Sequence, residues 1–142
     1  MKRTFWLCLA MAASLAAAEP PEDAKEVQGS WKPDKAELGG QPLPDAVLKL
    51  ISLKLDKGKY EVSVGGKLDK GNYSIDPASK PKGMSITGTE GPNNGKTFPA
   101  IYELKGDRLR ICYDLSGAKQ PAEFKSVAGT QLYLVTYSRK KE

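Results

Sequence analysis

From Ile51 to Ser138 the chain alternates apolar and polar residues in short runs, and nothing else in it restricts the fold so strongly. An alternation of period two sends successive side chains to opposite faces of a β-strand. In "ISLKLD" the residues Ile51, Leu53 and Leu55 share one face, and Ser52 and Lys54 the other; "YEVSV" repeats the pattern with Tyr60, Val62 and Val64. Lys67 to Ile75 carries Tyr73 and Ile75, and "MSIT" carries Met84 and Ile86. "FPAIYEL" contributes Phe98, Ala100, Tyr102 and Leu104, and "RLRICYDL" contributes Leu109, Ile111, Tyr113 and Leu115. The last run, "LYLVTYS", is apolar on both faces, as in a strand covered on each side. With a first strand around Trp31 the chain has eight strands, closely spaced and joined by Gly, Asp, Asn or Pro turns. That spacing predicts an antiparallel meander, sandwich or barrel, not strands alternating with helices. Pro44 to Leu50, "PDAVLKL", is the one helical candidate, two turns at most, with Pro44 suited to a first helical position.

The first eighteen residues, "MKRTFWLCLAMAASLAAA", are read differently. Lys2 and Arg3, an apolar run and then Ala16-Ala17-Ala18 form the three parts of a secretory signal peptide. The apolar run is shorter than the ~20 residues a membrane-spanning helix needs. Bulky Leu7 before Cys8 argues against a lipid anchor there. Residues 1–18 are therefore expected to be a signal peptide, residues 19–26 a flexible leader, and residues 27–140 one domain, exported to the periplasm or beyond the cell. Removing residues 1–18 leaves 20 basic against 17 acidic residues, interspersed along the chain. A nucleic-acid binder concentrates its basic residues on one face, so this distribution is read as a solvated surface.

Cys8 departs with the signal, leaving Cys112 without an intrachain partner; in the apolar run "RLRICYDL" it is expected to be a buried, inert thiol. Histidine is absent, which removes His-dependent triads and the commonest zinc sites. The stretch "EGPNNGKT", Glu90 to Thr97, imitates a phosphate-binding loop. It has one residue too few before Gly95-Lys96-Thr97, and it runs into the strand pattern of Phe98-Pro99-Ala100-Ile101-Tyr102. A phosphate loop needs a helix N-terminus at that point. It is read as a turn.

Gly29-Ser30-Trp31 opens the first strand with a Gly-x-Trp signature. Together with "DPASKPKGMSIT", "EGPNNGKTFPAIYELKGDRLRICYDL" and "YLVTYSRK", in that order, it resembles the lipocalin-like domain family of secreted planctomycete proteins, over nearly all of Val27 to Lys140. The resemblance implies export and an all-β fold: an eight-stranded antiparallel up-and-down barrel, with at most one short helix between strands 1 and 2. It supplies no catalytic, cofactor or metal site. It also implies that an arginine of the last strand stacks on the first-strand tryptophan, here Arg139 on Trp31; the alternative is a solvent-facing Arg139 in a basic tail. Pro33 departs from the family pattern and points to an edge position or a bulge in the first strand.

A barrel of eight strands is filled by side chains or holds one small ligand. Tyr60, Tyr73, Tyr102, Tyr113, Tyr133 and Tyr137 offer apolar walls with polar tips, and of these Tyr60 and Tyr113 are the candidate ligand contacts. Arg110 is a third candidate: facing inward, it can receive a ligand carboxylate. The favoured alternative turns Leu109, Ile111 and Tyr113 inward and Arg110 to water, because an unpaired buried guanidinium is costly. The expected function is non-catalytic binding of a small apolar or amphipathic molecule, without cofactor, metal, nucleic acid or membrane span. The alternative is a packed barrel acting as a protein-interaction or inhibitor module through loops such as Gly91–Lys96 and Gly117–Thr130. An enzyme would have to rely on carboxylates such as Asp76, Glu90, Glu103 and Asp114, whose spacing does not indicate shared chemistry.

Overall fold

Each alternating run becomes a strand, and the strands join in one sheet that closes on itself. The structure, a computed structural model, describes residues 22–141. The signal-peptide reading of residues 1–18 lies outside the described residues, as do residues 19–21 of the expected leader. In chain order the elements are α1 (Glu22–Glu26), β1 (Gly29–Leu38), β2 (Gln41–Pro42), α2 (Asp45–Leu48), β3 (Ile51–Asp56), β4 (Lys59–Val64), β5 (Lys67–Asp76), β6 (Gly83–Glu90), β7 (Thr97–Lys105), β8 (Arg108–Asp114) and β9 (Leu132–Arg139). From β3 to β9 every strand pairs antiparallel with its successor. β1 pairs with β3 and also with β9, from Trp31↔Arg139 to Leu38↔Tyr133, which closes an eight-stranded barrel. The two residues of β2 add only a flap on β1.

Pro33 sits where β1 changes register against β9, between Pro33 and Lys35, and where its ladder with β3 has already ended at Trp31. The proline thus occupies a bulge in a strand that helps close the barrel. The helix α2 lies where a helix was expected, and sends Leu48 into the core.

A second short helix, α1, was not expected. It occupies residues 22–26, inside the segment read as a flexible leader, and it is tied down by side chains. Asp23 accepts hydrogen bonds from Tyr102 Oη at 2.7 Å and Lys82 Nζ at 2.8 Å. Burial alone would raise the Asp23 pKa, but these two hydrogen bonds and the Lys82 charge outweigh it and hold the carboxyl below its ordinary value.

The two ends of the barrel differ. One is formed by α1, the β3–β4 and β7–β8 turns, and the ends of β5 and β9. Here Val27, Trp31, Tyr102 and Leu109 are buried and fill the interior. Trp31 Nε1 donates to Val27 O at 2.9 Å, and Arg139 Cζ lies 4.3 Å from the centroid of the Trp31 ring. The guanidinium also donates to Gln28 O and Glu26 O, joining the end of β9 to the residues that enter β1. This end is closed.

Candidate functional site

The opposite end is formed by α2, the β4–β5 turn, the loop 91–96 and the long connection 115–131. There the inward-facing side chains do not meet, and a cavity of about 190 Å³ remains. Its walls follow from the strand alternation. Ile51 and Leu53 of β3 face Val62 and Val64 of β4, with Leu53 and Val62 as direct partners across the strands. Phe98 and Ile86 line it from the far side, β7 and β6. On β8 and β9, Tyr113 and Tyr133 are cross-strand partners, their rings stacked with centroids 5.5 Å apart. Tyr113 and Tyr137 share a hydroxyl–hydroxyl hydrogen bond of 3.0 Å.

The polar part of the wall is small. Asp69 of β5 stands opposite Val62 of β4, which places its side chain on the inner face. Its Oδ2 accepts from Asn93 Nδ2 at 2.8 Å and from Tyr60 Oη at 3.3 Å. Its Oδ1 is buried and, among the described residues, accepts no hydrogen bond. Asn93 comes from the loop that imitates a phosphate-binding motif. β7 begins directly at Thr97 as a strand, and the loop folds back against the start of β5. Gly91 allows this approach: a Cβ there would lie 2.5 Å from Leu68 O. Gly71 serves Tyr60 in the same way. The two are cross-strand partners, and a Cβ at position 71 would lie 2.7 Å from the Tyr60 ring and 2.0 Å from Thr87 O.

The tyrosine hydroxyls in the wall remain protonated at neutral pH. Burial, reinforced by the Asp69 charge, pushes Tyr60 up to about 12, and burial pushes Tyr133 up to about 12. Tyr113 and Tyr137 are raised by burial as well. They offer hydrogen bonds and apolar ring faces, and do not act as bases near neutral pH.

Of the residues singled out from sequence, Tyr60 and Tyr113 line the cavity and Arg110 does not. Leu109, Ile111 and Tyr113 belong to the core, so Arg110 projects from the outer wall. There it pairs with Glu103 at 3.3 Å and lies 4.2 Å from the centroid of the Phe124 ring. Its reading as an inward ligand contact is corrected on that geometry: the alternation that buries Tyr113 turns Arg110 outward. Cys112 is on the same outer face, yet buried, because the connection 115–131 folds over it and brings Lys125 O within 3.5 Å of its sulfur.

The carboxylates considered for catalysis are dispersed. Asp76 accepts from Ala78 N in a turn, Glu103 is on the outer wall, and Glu90 is exposed at the end of β6. Asp114 is tied to Ser116 and the Lys119 amide. Among the described residues no group of three or more His, Cys, Asp or Glu side chains is placed to hold a metal ion, and no helix is long and apolar enough to cross a membrane.

Asp69 and Asn93 are the site residues that sequence reading missed. A signal for Asp69 existed: it shares parity with Tyr73 and Ile75, the apolar face of its strand, so a carboxylate at that position breaks the pattern. Asn93 left none, since an asparagine in a glycine-rich turn is ordinary. In comparison with known proteins, the chain matches no family model, no curated protein and no solved structure.

Proposed function

We propose that this protein is an exported, non-catalytic barrel that binds a small apolar or amphipathic molecule in the cavity at its open end. The observation that carries the reading is the asymmetry of the interior: one end packed around Trp31, the other holding about 190 Å³ of space between aliphatic and tyrosine walls. An apolar cavity of roughly 150 Å³ already admits benzene, so the volume matches a ligand of one ring or a short chain. With at most about 1.5 kcal/mol from each non-hydrogen atom, a ligand of about seven or eight such atoms is bounded at about 12 kcal/mol of binding energy. The signal-like residues 1–18 and the lipocalin-like resemblance support the same reading.

Native mass spectrometry of the protein purified from its own host tests it directly, with a retained small molecule as the expected result. Toluene titrated at millimolar concentration should shift backbone amide resonances along β3, β4, β8 and β9. Absence of both a retained molecule and localised shifts refutes the proposal.

A second reading, a protein-interaction module, has one observation in its favour. Among the described residues, the exposed large apolar side chains Leu38, Val47, Leu50, Val64, Leu68 and Val127 belong to strand ends and connections at the open end. Under that reading Leu50→Lys and Leu68→Lys abolish a complex and leave toluene binding unchanged.

A further inference from the structure

We propose that the cavity selects ligands carrying a protonated amine, and that Asp69 is the group that selects them. The inference rests on the binding reading above and adds a ligand class to it. Asp69 faces the interior with two oxygens in different states. Oδ2 is held by Tyr60 and Asn93, whereas Oδ1 is buried and accepts nothing among the described residues. No lysine or arginine side chain of the described residues lies within ion-pair distance of it. A carboxylate that is partly withdrawn from water and lines an apolar cavity without a counter-charge is costly unless something supplies the missing charge. An ammonium group in the cavity supplies it.

The surroundings suit such a ligand. Neutral tyrosine rings line the same cavity, and an aromatic ring face attracts a cation. The aliphatic wall of Ile51, Leu53, Val62 and Ile86 covers an apolar body. Asn93 fixes the carboxylate from the loop side and Tyr60 from the strand side, so the acceptor is held in place before the ligand arrives. At about 190 Å³ the space matches one aromatic ring bearing an aminomethyl group.

The test compares four probes of nearly equal size by NMR titration of the protein at neutral pH: benzylamine, benzyl alcohol, toluene and benzoate. Benzylamine is expected to bind about tenfold or more tightly than benzyl alcohol, since a hydrogen bond between charged groups outweighs a neutral one. Benzoate is expected not to bind. In Asp69→Asn, which keeps the shape, the ratio of benzylamine to benzyl alcohol affinity should fall to about one. Equal affinity of the unaltered protein for benzylamine and benzyl alcohol overturns the inference without recourse to the variant. A preference that survives in Asp69→Asn overturns it too. If toluene and benzyl alcohol bind and the amine gains nothing, only the selectivity is lost. If none of the four binds, the cavity reading fails with it.

Discussion

Replacing Arg139 by alanine should open the closed end of the barrel, and the cost can be worked out from its contacts. The guanidinium lies 4.3 Å from the Trp31 ring centroid over a fully buried indole, a cation–π contact worth about 1 kcal/mol. It donates to Gln28 O at 2.6 Å in a partly buried setting, which adds about 1.5 kcal/mol. The bond to Glu26 O, 2.7 Å, is exposed, as is the Asp107 carboxylate 3.0 Å from Nε; together they contribute about 0.5 kcal/mol. Arg139→Ala should therefore destabilise the fold by about 3 kcal/mol, and lower the melting temperature by roughly 10 °C for a domain of this size. Arg139→Lys keeps the charge but loses the planar fork and should recover less than half of this. In protein lacking residues 1–18, Trp31 is the sole tryptophan, so urea unfolding followed by its fluorescence reports on the site itself. A loss below about 1 kcal/mol for Arg139→Ala, or full recovery by lysine, would refute the claim that this stack and its carbonyl contacts seal the barrel.

Three further outcomes follow from the structure. Asp23 has a folded pKa below its unfolded value of 3.8, so its contribution is complete above about pH 4 and fades as the pH falls through the folded value; Asp23→Asn should cost about 1–2 kcal/mol at pH 7 and progressively less in acid, and a gap that does not shrink would exclude the ionised contact. Gly71→Ala has no room for its methyl, 2.0 Å from Thr87 O, and should destabilise by about 2–4 kcal/mol in thermal melts, whereas Gly65→Ala, with nothing within 4 Å, should lose less. Cys112 is buried and its thiol pKa is raised by that burial, so a thiol-specific reagent should modify it only at the rate of unfolding; rapid labelling of the native protein would show that the connection 115–131 does not cover it.

Much of the barrel was legible because alternation is a local property. Leu53, Val62 and Ile111 could be assigned to one face from their neighbours alone, and a strand that buries Tyr113 must turn Arg110 the other way. Pro33 announced its irregularity through its missing amide. The helix α1 was hidden for the opposite reason. Five residues have no helical stability of their own, and α1 exists where Tyr102 and Lys82, some sixty to eighty residues later, hold Asp23. Cys112 is buried as its apolar run predicts, but by a route the alternation did not show: it lies on an outward position of its strand and is covered by a connection whose course no periodicity encodes.

The amino-acid sequence on its own determined that the chain forms short strands and which face of most of them is apolar, since these depend on neighbours a few residues apart; it left meander, sandwich and barrel open and the inward face of β8 undecided. Closure depended on β1 meeting β9 across about a hundred residues, a pairing that neither segment specifies in isolation. The cavity was decided later still. Whether inward side chains touch or leave a gap depends on volumes summed across strands that are not sequence neighbours. The same holds for the carboxylate of Asp69, to which Tyr60 and Asn93 are brought from two other segments of the chain.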